Sequence, residues 1–189
     1  MNSDSVQIPA SSQTVGPYFR IGLEYLVERT AAHALDMRET VEIRGRVMDR
    51  DGVPAPDAML EFWSAAPVIE QFHADRERSD FPPGFQRVMT DGEGRFSMAI
   101  EQPAPIGLND ERMQAPHLLV LVFARGLLRH LITRVYLEDE QANASDLVLS
   151  LVPEERRATL IARPDEAQAG LYWWDVVLQG TGETVFFSW

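Results

Sequence analysis

Four histidines, His33, His73, His117 and His130, are the residues best suited to metal or acid–base chemistry. No HExxH occurs, and no two histidines are close enough to form a His-x-His pair on one strand face. A metal site made by this chain alone would have to gather scattered groups, so the plainer reading is packed or surface imidazoles. No GxSxG elbow is present to present a nucleophilic serine. The DGEG run at 91–94 lacks the lysine and following helix of a phosphate loop and reads as a hairpin turn. Three other features invite chemistry. Gln13-Thr14-Val15-Gly16-Pro17-Tyr18 sets a hydroxyl beside a permissive and then a rigid backbone, which suits close approach of a ligand. The same segment also suits an ordered arm docked on a neighbour. Arg125 follows an apolar run and precedes Gly126, so its planar fork could meet a carboxylate ligand, or pair with one of the chain's 29 acids. Finally, Val185-Phe186-Phe187-Ser188-Trp189 carries three aromatic rings that must pack into the core or a subunit interface.

The elements expected to position these residues are short strands. From 41 to 47, Val41, Ile43, Gly45 and Val47 alternate with Glu42, Arg44 and Arg46, the period of a half-buried strand. Asp51-Gly52 marks a turn, and Pro54 and Pro56 exclude regular helix. Strands are expected at 58–63, and at 88–90 and 95–100 as a hairpin across the DGEG turn. The continuous apolar run 118–124 suits a central strand. Further strands are expected at 131–137, 148–152, 172–178 and 184–187, with one late helix at 153–162 opening on Glu154 and Glu155. Earlier, 21–35 has a weak helical pattern in which Leu23, Leu26 and Val27 could face a core. The first residues are polar and read as an extended arm. The expectation is therefore an all-β chain: a β-sandwich of short, mainly antiparallel strands with an extended N-terminal arm and little helix. It divides into an arm and connecting segment, 1–40, and a sandwich, 41–189.

Composition narrows the function. A chain of 189 residues with 45% hydrophobic content suits one domain with a real core. Its net charge of −12 disfavours nucleic acid and anionic membranes. The absence of cysteine excludes disulfides, thiolate metal sites and thiol nucleophiles. The N-terminal segment has neither the basic start nor the apolar core of a signal peptide, and no run approaches a membrane span, so a cytoplasmic location is expected.

The segments QTVGPYF, DRDGVPAPDAMLEFW, TDGEGRF, APHLLVLVFARG, TRVYLEDE, RRATLIA and GETVFF occur in this order from about Ser12 to the end of the chain. In that order the sequence resembles the α subunits of the protocatechuate 3,4-dioxygenases, an intradiol ring-cleaving family. The turn-forming segments alone also suit a non-catalytic, transthyretin-like β-sandwich binding domain, because they encode strand turns rather than chemistry. The arm and the FARG segment favour the dioxygenase family.

The resemblance implies a hetero-oligomer of two related chains. The β subunit holds a non-haem Fe(III) through two tyrosines and two histidines. With dioxygen it cleaves 3,4-dihydroxybenzoate to 3-carboxy-cis,cis-muconate in the β-ketoadipate pathway of aromatic catabolism. The present chain resembles the partner without iron. Where the iron-bearing subunit reads Ala-His-x-His, this chain reads Ala115-Pro116-His117-Leu118-Leu119, and Gln71 and Ala104 stand at the two tyrosine positions. No catalytic residue and no metal ligand set is expected in this chain. The resemblance implies instead that Thr14, Gly16, Pro17, Tyr18 and Arg125 help wall the adjoining β subunit's site against its small aromatic carboxylate substrate.

Overall fold

The computed structural model describes residues 13–14, 16, 21–27, 40–64, 84–107 and 113–188. Eleven strands among them make a mainly β architecture. One layer is built around β1 (Thr40–Met48), with antiparallel β4 (Arg95–Glu101) on one side. On the other side β10 (Leu171–Trp173) and β11 (Val176–Val177) both run parallel to β1. The second layer is antiparallel: β3 (Phe85–Met89), β2 (Met59–Ser64), β7 (His117–Phe123) and β8 (Leu131–Leu137). Strand β9 (Ile161–Pro164) joins the layers, antiparallel to β10 and parallel to β8, so the sandwich nearly closes into a barrel. A small ribbon, β5 (Ile106–Gly107) with β6 (Met113–Gln114), stands apart.

The alternation in β1 has the expected consequence. Val41, Ile43 and Val47 are buried, and they meet Phe62, Val120, Val122 and Trp174 in the core between the layers. Gly45 occupies a strand interior because a Cβ there would lie 1.7 Å from the Trp174 carbonyl oxygen. Trp174 itself splits the expected 172–178 strand in two. Its backbone N–H donates to the Arg44 carbonyl at 2.8 Å while its indole turns into the core. Strand β7 is central, between β2 and β8, as its continuous apolar run suggested.

Four expectations need correction. The strands flanking the DGEG turn do not form a hairpin ladder: β3 pairs with β2, and β4 with β1. The turn is still closed, by Asp91 Oδ1 accepting from the Glu93 and Arg95 amides at 2.9 Å, but it carries the chain from one layer to the other. The run at 148–152 is a helix, Leu147–Leu151, because the Asp146 carboxylate accepts from the Leu149 amide at 2.7 Å and caps it. The late helix ends early: Glu154–Arg157 passes into a 3₁₀ turn, Ala158–Leu160, and β9 begins at Ile161 because its side-by-side pairing with β8 recruits the backbone. The run at 184–187 makes only an isolated bridge, Phe187 with Ile132, its amide donating at 2.8 Å. Residues 21–27 are helical, and Leu23, Leu26 and Val27 are its half-buried positions. Among the described residues no helix is long and apolar enough to cross a membrane.

Candidate functional site

Strand β7 presents a different group of polar residues at each end. Its first residue, His117, is buried and faces Tyr136 of β8, with ring centroids 5.4 Å apart. The imidazole Nδ1 lies 2.7 Å from the Ala115 carbonyl, so it carries the hydrogen and donates. Burial pushes the imidazole below its ordinary value, opposed by that carbonyl bond, and keeps it neutral. Tyr136 donates its hydroxyl to Asp146 Oδ1 at 3.1 Å. Its pKa is pushed up to about 12, first by burial. Asp146 also accepts from the Ala115 amide at 2.8 Å, and Arg134 donates to Gln114 at 2.7 Å. The cluster is largely closed on itself: the Tyr136 hydroxyl, both Asp146 oxygens and the His117 Nδ1 hydrogen are all engaged within it.

A period of two places residues 117 and 119 on one sheet face, which is where a His-x-His pair would bring two imidazoles together. Here the second position is Leu119. Tyr136, the phenol beside it, is instead engaged in donating its hydroxyl to Asp146. Ala104 lies in the connection between β4 and β5, and Gln71 lies outside the described residues. Among the described residues no group of three or more His, Cys, Asp or Glu side chains could hold a metal ion. The donor set around His117 therefore does not fit the Fe(III) site of the family.

The other end of β7 is open. After Phe123 the chain makes a tight turn in which the Leu127 amide donates to the Ala124 carbonyl at 3.2 Å. Gly126 takes φ +88, a left-handed conformation that disfavours any side chain. This turn lifts Arg125 out of the sheet, its side chain 54% exposed. One guanidinium nitrogen lies 3.7 Å from Asp57 Oδ2, so Arg125 does pair with an acid, but beyond hydrogen-bonding distance. The Gly126 amide donates to the hydroxyl of Thr14 at 2.7 Å. The arm motif and the FARG segment, which are 112 residues apart in sequence, thus meet at one turn. Gly16 is exposed nearby in sequence, while Pro17 and Tyr18 lie outside the described residues. Beside Arg125 is a hollow of about 390 Å³ lined in part by Pro54, Pro56, Leu127 and Gln179.

A larger hollow, about 620 Å³, lies over the β1–β4 face and is lined in part by Arg44, Arg95 and Trp173. Its size does not make it the better site. Two of its three arginines are engaged, Arg44 by Glu42 at 2.7 Å and Arg95 by Asp91 and Glu93 at 2.9 and 2.8 Å, while Arg46 is exposed. The sequence reading passed over two residues that matter here, Asp57 and Asp146. An acid directly before an apolar run is a helix-cap signal, so Asp146 was findable. Asp57 carried no signal beyond its place after Pro56 in a turn.

The aromatic end is packed as expected where it is described. Val185 and Phe187 join Tyr136, Leu149 and Leu160 in a second apolar cluster, and Phe186 packs on the main core. The Val185 carbonyl accepts from Thr133 at 2.7 Å. Trp189 lies outside the described residues.

Comparison with known proteins agrees with this architecture. The family described as Dioxygenase matches residues 16–180. The protocatechuate 3,4-dioxygenase alpha chain of Burkholderia cepacia is 44% identical, over 94% of this chain and 95% of its own length. The alpha chain of the same name from Pseudomonas putida is 34% identical, over 94% of each. Among solved structures, 3-chlorocatechol 1,2-dioxygenase from Rhodococcus opacus 1CP superposes with a TM-score of 0.57 at 24% identity, over 75% of this chain and 60% of that one, which speaks to the fold alone. Closed at His117, open at Arg125 and similar over nearly its whole length to such alpha chains, the chain belongs to the intradiol dioxygenase family, among its protocatechuate 3,4-dioxygenase alpha chains.

Proposed function

We propose that this chain works as the non-iron subunit of a protocatechuate 3,4-dioxygenase, in a hetero-oligomer with a β subunit that holds the catalytic Fe(III). The partner's iron supplies the cleavage of 3,4-dihydroxybenzoate by dioxygen to 3-carboxy-cis,cis-muconate. This chain's part is to complete the wall of that site with Arg125 and the arm residues Thr14, Gly16, Pro17 and Tyr18.

The observation that carries this reading is the hydrogen bond from the Gly126 amide to Thr14. It ties the arm to a turn that offers an exposed guanidinium beside a hollow. The substrate is a carboxylate, and a chain of net charge −12 repels it at long range. A local guanidinium offsets that repulsion and can grip both carboxylate oxygens through its fork. Gripping the carboxylate fixes the direction in which the ring and its two hydroxyls point. The arm, pinned through Thr14, holds the turn that carries the guanidinium.

The test is co-expression with the β chain. The co-purified complex should be red-brown and should consume oxygen in step with 3,4-dihydroxybenzoate. The isolated chain should be colourless and inactive. Stoichiometric iron and oxygen uptake in the isolated chain would overturn the assignment.

A further inference from the structure

Asp57 is the single non-glycine residue with positive φ among the described residues, at +63. It follows Pro56 and precedes β2, in the position of a turn where glycine or asparagine is usual. A backbone held in a sparsely populated region persists only where its surroundings determine it. Here they do. The Ala55 amide donates to the Val47 carbonyl at 2.8 Å. Buried Thr90 donates to the Ala55 carbonyl and accepts from the Ala58 amide, both at 2.9 Å. The segment on either side of Asp57 is thus fixed to β1 and to the residue after β3, so the backbone that carries its carboxylate is held in place. It lies 3.7 Å from one terminal nitrogen of Arg125. That distance attracts the guanidinium without occupying its donors, so the fork stays available to a ligand.

We infer that Asp57 is a positioning residue for Arg125, holding the guanidinium from behind so that its remaining donors face the carboxylate of the substrate; this rests on the reading of Arg125 given above. An exposed pair of this kind contributes little to stability. Its effect is on direction: a long side chain that is half exposed would otherwise sample many rotamers.

The experiment uses the assembled, iron-loaded αβ complex and compares Asp57→Asn, Asp57→Gly, Arg125→Ala and the Asp57→Asn/Arg125→Ala double variant. Asparagine and glycine both accept the left-handed backbone, so neither adds strain of its own. Binding is read anaerobically, without turnover, for 3,4-dihydroxybenzoate and for catechol, which lacks the carboxylate; kcat and KM are then measured in air. Both Asp57 variants should weaken binding of the carboxylate substrate about three- to tenfold while changing catechol binding and kcat by less than about twofold. The double variant should match Arg125→Ala alone. Unchanged or tighter binding in the Asp57 variants, with Arg125→Ala impaired, would overturn the inference while leaving Arg125 in its role. So would a further loss in the double variant, or Asp57 variants that fail to assemble where Arg125→Ala assembles. If Arg125→Ala itself binds normally, the reading of Arg125 falls and the inference about Asp57 falls with it.

Discussion

At the start of β7, His117 is 5% exposed, and its neighbours Tyr136 and Asp146 are bonded to one another. Just past the end of the same strand, Arg125 is 54% exposed and touches its acid only loosely. Both ends hold residue types found in active sites. The difference is in what remains unspent after folding. In the first group the Tyr136 hydroxyl and both Asp146 oxygens are engaged inside the cluster, and burial pushes the imidazole down and the phenol up. In the second, a turn with a left-handed glycine leaves a full charge facing a hollow, and the arm fastens that turn without covering the guanidinium. Residues that look catalytic are structural where they satisfy each other, and become available to a ligand where the backbone keeps them apart.

The comparison breaks most visibly at Asp146. This carboxylate is 1% exposed and accepts from the Leu149 amide, the Ala115 amide and the Tyr136 hydroxyl. Asp146→Ala would leave these donors buried and unpaired, so a loss of about 3–5 kcal/mol is expected. It would be read as a fall in the denaturation midpoint and soluble yield, with Asp146→Asn retaining part of the loss. A variant that unfolds at the parent midpoint would show that the cluster is not the closed structural unit described.

At the open end the expected effect is on function. Arg125→Ala should lower kcat/KM for 3,4-dihydroxybenzoate in the assembled enzyme by about ten- to a hundredfold, the value of one charge-assisted hydrogen bond. Iron content and melting temperature should stay near those of the parent. Arg125→Lys should recover only part, since an ammonium lacks the fork. A kcat/KM within about twofold of the parent, far short of the loss expected for a charge-assisted bond, would make Arg125 an ordinary surface cation.

The smallest effect is the pH response of His117. Its folded-state value lies below the ordinary 6.5, so between the two values the unfolded chain binds more protons. The stabilisation is therefore complete above 6.5 and is lost as pH falls through the lower, folded-state value. His117→Asn keeps an amide donor for the Ala115 carbonyl but cannot titrate. The melting temperature of the parent should fall more steeply than that of the variant as the solution is acidified below neutrality. Parallel pH profiles would show that His117 is not held neutral by its burial.

How much of this was readable in advance depends on how far apart the interacting residues are in sequence. Strands β1 and β8 were visible because a period of two is a local pattern, and central β7 because a short continuous apolar run is another. The helix at Leu147–Leu151 was read as a strand, because five apolar residues fit either period and the deciding interaction is the side chain of Asp146. The hairpin at 91–94 was misread for a similar reason. A closed turn is written locally, but which strand each arm pairs with is set by the whole sheet. At the site, Arg125 and the arm stood out as two separate oddities. Asp57 was invisible, because an acid after a proline says nothing of the charge it will face.

By itself the sequence determined the β-rich class, the turn at Asp51-Gly52, the absence of a His-x-His pair and the net charge that a carboxylate ligand must overcome. These follow from residue type and short spacing. Tertiary structure alone decided that Thr14 meets Gly126 across 112 positions, that Asp57 comes within 3.7 Å of Arg125, and that Tyr136 gives its hydroxyl to Asp146. The physical reason is that hydrogen bonds and ion pairs act over a few ångströms, so their partners are fixed only once strands from distant parts of the chain have taken their register.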